Sequence, residues 1–110
     1  MNHPEAKHSQ CETAFIQTIS ETIHIVLKQN KIAAEQMRIL LSELSFAMAA
    51  HLEGSSYAGE INGQEIFPSL SFSIGIDPPK RVTGASKGMI YSIADIVDRL
   101  MASSYPNSSK

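Results

Sequence analysis

The sequence predicts an α+β fold: a helical hairpin, a small antiparallel β-sheet of two to three strands and a C-terminal helix, in the order α-α-β-β-β-α and in two layers. Three observations predict it. Apolar residues recur every three or four positions from about Gln10 to Leu52, the spacing drops to two after Gly54, and the helical spacing returns near Ser86. With 110 residues, 43% of them hydrophobic, the chain suits one core and one domain. That domain is expected over 9–103, between a flexible N-terminal arm, 1–8, and a flexible tail, 104–110.

The first helix is expected over about Gln10–Gln29. Ser9 followed three residues later by Glu12 has the form of a capping box, and Cys11, Phe15, Ile19, Ile23 and Val26 form one apolar face. Gln29-Asn30-Lys31 is the expected bend, since asparagine tolerates the left-handed conformation at a helix end. The second helix, about Ile32–Leu52, carries Met37, Leu40, Leu41, Leu44, Met48 and Leu52 in helical period. Its later half, "LSELSFAMAAHL", has almost no polar side, which predicts burial on more than one side or a subunit contact. Gly54 stops it.

Asn62-Gly63 between two short runs predicts a β-hairpin, because this pair favours the type I′ turn that matches strand twist. Pro68 then interrupts the pattern. In "SLSFSIGI", Leu70, Phe72, Ile74 and Ile76 alternate with Ser69, Ser71, Ser73 and Gly75, so the larger face should meet the helices. "DPPKRVTG" reads as turn and loop. The last helix is expected from near Ser86 to about Ser103, with Met89, Ile90, Ile93, Val97, Leu100 and Met101 inward and an outer Asp95/Arg99 pair.

Composition narrows function by exclusion. A formal charge of −2 gives no general attraction for polyanions, which argues against nucleic acid. The longest apolar run, "FAMAA", is far short of a membrane span. The polar start "MNHPEAKHSQ" lacks the form of a secretory signal, and the single cysteine, Cys11, fits a reducing compartment, so a cytoplasmic protein is expected. Met1-Asn2-His3 is a terminus that chelates Cu(II) or Ni(II) in vitro. No metal and no cofactor is assigned.

Val82 to Gly88, "VTGASKG", locally resembles the opening of a short-chain dehydrogenase, a resemblance that would imply a dinucleotide site. Thr83, Gly84 and Gly88 match that pattern, but Ile90 stands where the last glycine should permit tight helix and strand packing. Only 22 residues follow Gly88, too few for further β-α units, and no Tyr-x-x-x-Lys pair is present. A glycine-bearing loop leading into a helix accounts for the segment. Its basic residues leave one smaller expectation: Lys80, Arg81 and Lys87, with Gly84 and Ser86 near a helix start, form a candidate site for a phosphate or other small anion.

Other pairs read as structural. His8 and Cys11 lie three apart, but Cys11 belongs to the apolar stripe. Glu21 and His24 read as surface features, and His51 as a helix-end charge. Met37, Met48, Met89 and Met101 fall on apolar faces as core filler. The function expected is therefore that of a small, non-enzymatic interaction or regulatory protein, a homodimer that also contacts another protein. Leu44, Phe46, Met48 and Leu52 on the second helix, and Leu70, Phe72 and Ile74 on the strand, are the expected contact residues.

Overall fold

A computed structural model describes residues 7–54, 59–84 and 88–104. Three helices, α1 (His8–Gln29), α2 (Ala34–Leu52) and α3 (Met89–Ser104), flank four three-residue strands, β1 (Gly59–Ile61), β2 (Gln64–Ile66), β3 (Phe72–Ile74) and β4 (Lys80–Val82). The order is α-α-β-β-β-β-α, an α+β fold with a helical hairpin and a C-terminal helix. Met1-Asn2-His3, Ser86 and Lys87 lie outside the described residues.

The core is helix on helix. Its buried apolar members are Ile16 of α1, Met37, Leu41 and Ala49 of α2, and Met89, Ile93, Ile96, Val97 and Met101 of α3. Strand-region residues contribute at the margin, with Leu70 packed against this cluster. The expectation of helices layered on the larger face of a sheet is corrected here: Leu70 and Phe72 are half-buried, whereas Ile74 is exposed and Ile76 is 92% exposed. Gly75, with φ 78°, leaves the extended conformation directly after β3 and carries Ile76 away from the helices.

The inner line of α1 also differs from expectation. It runs through His8, Glu12, Ile16, Ser20 and His24, a strict step of four, and the predicted apolar stripe of Cys11, Phe15, Ile19, Ile23 and Val26 forms the flank beside it. Small residues explain the rotation. Ser20 meets Ser45 of α2 through a buried hydroxyl pair at 2.8 Å, next to Ala49, so the two helices approach closely along their i, i+4 rows. Each serine satisfies the other, which removes the desolvation penalty that either would carry alone.

Glu12 is no cap. The helix starts at His8, and the Gln10 side chain accepts a hydrogen bond from the Lys7 N–H at 2.8 Å while Glu12 is buried. The bend falls where predicted. Asn30 ends α1, its side-chain amide donating to the Val26 carbonyl at 2.8 Å, and Lys31 takes the left-handed conformation at φ 59°. The second helix then starts at Ala34, two residues later than expected.

The hairpin at Asn62-Gly63 forms as predicted, with φ 54° and 79° at the two turn residues, the pair of positive angles that a type I′ turn requires. Its register is Gly59↔Ile66, Glu60↔Glu65 and Ile61↔Gln64. The segment read as loop, 80–82, is a strand. Asp77, Pro78 and Pro79 reverse the chain so that Val82, Arg81 and Lys80 pair antiparallel with Phe72, Ser73 and Ile74. The strands thus make two separate two-stranded sheets, β1-β2 and β3-β4, in place of one sheet of two to three strands. Pairing overrides the poor strand propensity of a basic segment once a partner strand lies alongside.

Candidate interaction surface

At one end of the bundle, where α1 begins, α2 ends and α3 begins, polar side chains are buried. The His8 ring donates from Nε2 to the Leu70 carbonyl at 2.9 Å, lies 3.8 Å through Nδ1 from the Glu12 carboxylate, and meets the Phe72 ring at a centroid distance of 5.3 Å. Gly84 passes so close that a Cβ there would sit 2.7 Å from the His8 ring carbon Cγ. His8, expected in an arm, is therefore a clasp between α1 and the β3-β4 hairpin. Cys11 is half-buried on the flank, in a shallow groove of about 300 Å³ shared with Phe15, Phe72 and Ile74.

Glu53 is the functional-looking residue that sequence reasoning missed. Buried at the end of α2, its carboxylate accepts the Met89 N–H at 3.0 Å. A carboxylate at a helix start satisfies a free donor and complements the positive end of the helix dipole. The anion that α3 attracts is thus one of the chain's own side chains. Of the proposed anion site, Lys80 and Arg81 lie exposed on β4 and Gly84 is turned against His8. Among the described residues, no group of three or more His, Cys, Asp or Glu side chains could hold a metal ion, and no helix is long and apolar enough to cross a membrane.

His24, read as a surface feature, is buried on the inner line of α1. Burial, and secondarily Lys28, lowers its pKa below the ordinary 6.5, so the folded state holds the ring neutral. In the unfolded chain the ring binds its proton more readily. The stability gained by keeping it neutral is present above pH 6.5 and is lost as the pH falls from there through the lower folded-state pKa. In thermal melts between about pH 5 and 7, His24→Gln is expected to flatten the acid side of the stability profile. A pH-independent difference between the variant and the parent would refute this role.

Apart from the exposed Ile39, the large apolar side chains that α2 leaves outside the core lie in two places. Gln17 of α1 accepts from Arg99, and Arg38 of α2 donates to Asp98 at 2.6 Å, so these residues mark the side of the helical hairpin that α3 covers. The expected Asp95 partner of Arg99 contributes its main-chain carbonyl, at 3.4 Å. On the opposite flank, Leu40, Leu44 and Met48 step by four along α2, and Ile19, Ile23 and Val26 follow along α1. Leu44 and Met48 are 43% and 44% exposed, and Val26 is exposed with them.

The second place lies between α2 and α3. Phe46 is exposed at a groove of about 470 Å³ lined also by Ser42, Glu43, Ile90, Ile93 and Ala94. The predicted contact residues therefore separate. Leu44, Phe46, Met48 and Ile74 are outward, on different faces, whereas Leu52, Leu70 and Phe72 are half-buried, Leu52 and Leu70 against the helical core and Phe72 against His8 and Phe15. No family model, no curated protein and no solved structure matches the chain.

Proposed function

We propose that this chain is a small, non-enzymatic interaction protein that works as a homodimer, with the outer face of the α1-α2 hairpin as its apolar contact. The observation that carries this reading is the row Leu40, Leu44 and Met48 beside Ile19, Ile23 and Val26, on the side that α3 leaves uncovered. Two helices of this length present a strip about 30 Å long, and a two-fold axis would stack two such hairpins into a four-helix contact with the same residues on both sides.

Val26, Leu44 and Met48, 47%, 43% and 44% exposed, leave apolar surface in water on that side, and burying it against a second copy is the physical gain that association offers.

The alternative, a small-anion module at the basic segment 80–88, has less support, because Glu53 already supplies a carboxylate to the first turn of α3.

The test is sedimentation equilibrium of the chain with Leu44→Lys and Met48→Lys. Both positions tolerate a long polar side chain on a helix, and a cation suits the C-terminal half of α2. The parent is expected to dimerise, and the double variant to raise the dissociation constant by about 100-fold or more while keeping its helical circular dichroism. An unchanged constant would rule out this face.

A further inference from the structure

The two β-hairpins carry complementary halves of one contact, and we propose that they pair edge to edge between two copies of the chain, β1-β2 of one against β3-β4 of the other, twice about a two-fold axis. This rests on the homodimer reading above, though not on the helical face.

Among the described residues the β1-β2 hairpin pairs only within itself, and every strand residue except the half-buried Gly59 is exposed. A lone two-stranded hairpin is marginal in water, and its open edges invite another strand. The register puts Ile61 and Ile66 on one face and Glu60 directly opposite Glu65 on the other. Like charges placed so oppose the pairing unless a cation lies beside them.

The β3-β4 hairpin has the matching pattern. Phe72, Val82, Ile74 and Lys80 share one face, half-buried at Phe72 and Val82 and exposed at Ile74 and Lys80, and Ser73 and Arg81 share the other. When the two hairpins join as one four-stranded sheet, Ile61 and Ile66 continue the apolar face of Phe72, Ile74 and Val82. With β4 as the joining strand, Arg81, exposed on it, then shares a face with Glu60 and Glu65 and adjoins whichever of the two lies on the neighbouring strand. Within one chain the hairpins form separate sheets. A second copy supplies both missing halves at once, because acidic and basic hairpins lie on the same chain and a two-fold operation exchanges them. Charge pairing of this kind sets register and excludes wrong partners.

The experiment is sedimentation equilibrium of the full chain in three charge variants. Glu60→Lys with Glu65→Lys is expected to raise the dissociation constant by about 30-fold, and Arg81→Glu alone by a similar factor, because each brings like charges together. The triple variant, Glu60→Lys, Glu65→Lys and Arg81→Glu, restores complementarity and is expected to regain most of the affinity. Circular dichroism checks the fold, and all three positions are exposed. An unchanged constant in the first two variants, or no recovery in the third, overturns the proposal. If Leu44→Lys with Met48→Lys abolishes the dimer while the charge variants do not, the helical face stands and the hairpin pairing falls. The reverse result keeps the hairpins and removes the helical face, charge-dependent association with a different, basic partner alone removes the second copy, and a monomer at every concentration overturns both.

Discussion

Gly54→Ala is expected to cost about 3 kcal/mol of stability, a fall of roughly 10–20 °C in melting temperature. Two effects add. Gly54 sits at φ 82°, where a side chain is strained, and a Cβ there would lie 2.6 Å from the Pro68 carbonyl oxygen, a main-chain atom that cannot turn aside. Gly63→Ala is the control: its φ is 79°, yet nothing lies within 4 Å of the added carbon, so only the conformational penalty of about 1 kcal/mol applies. Urea unfolding of the two variants separates the causes. Equal losses would mean that the approach of Pro68 contributes nothing.

Glu53→Ala is expected to cost about 2–3 kcal/mol, since the buried Met89 N–H loses its acceptor and the start of α3 loses its charge partner. Glu53→Gln keeps an acceptor oxygen and removes only the charge, so about 1 kcal/mol is expected. Hydrogen exchange at the first-turn amides of α3 would locate the effect. If Glu53→Ala left exchange at Met89 and the overall stability unchanged, the carboxylate would not be holding the helix.

These two residues show what a linear reading misses. Gly54 was legible as a helix stop, but its intolerance of a side chain comes from Pro68, which the chain brings back after the β1-β2 hairpin. Glu53 sits beside a stop signal with no local feature to mark it, and its partner is 36 residues away. Glu12 had the sequence form of a cap and is buried, because α1 begins with His8 and rolls its i, i+4 line inward. Of the candidate anion residues, Lys80 and Arg81 lie exposed on β4 and Gly84 is turned against His8, while the first turn of α3 is served by Glu53; Ser86 and Lys87 lie outside the described residues.

The sequence by itself determined the three helices, the break at 29–31, the type I′ hairpin at Asn62-Gly63 and the inward face of α3, since each follows from local periodicity or from backbone angles that only certain residues accept. Of the six residues expected inward on α3, Met89, Ile93, Val97 and Met101 are buried, and Ile90 and Leu100 are half-buried against the core. Only the tertiary structure decided which line of α1 faces the core, that 80–82 is a strand, and that the apolar excess of α2 divides between two faces. Those outcomes depend on which surface each element meets. A stripe of Cys11, Phe15, Ile19, Ile23 and Val26 is as apolar as a core face, but Ser20 and Ser45 let the helices pack more closely along the neighbouring line, and close packing fixed the rotation.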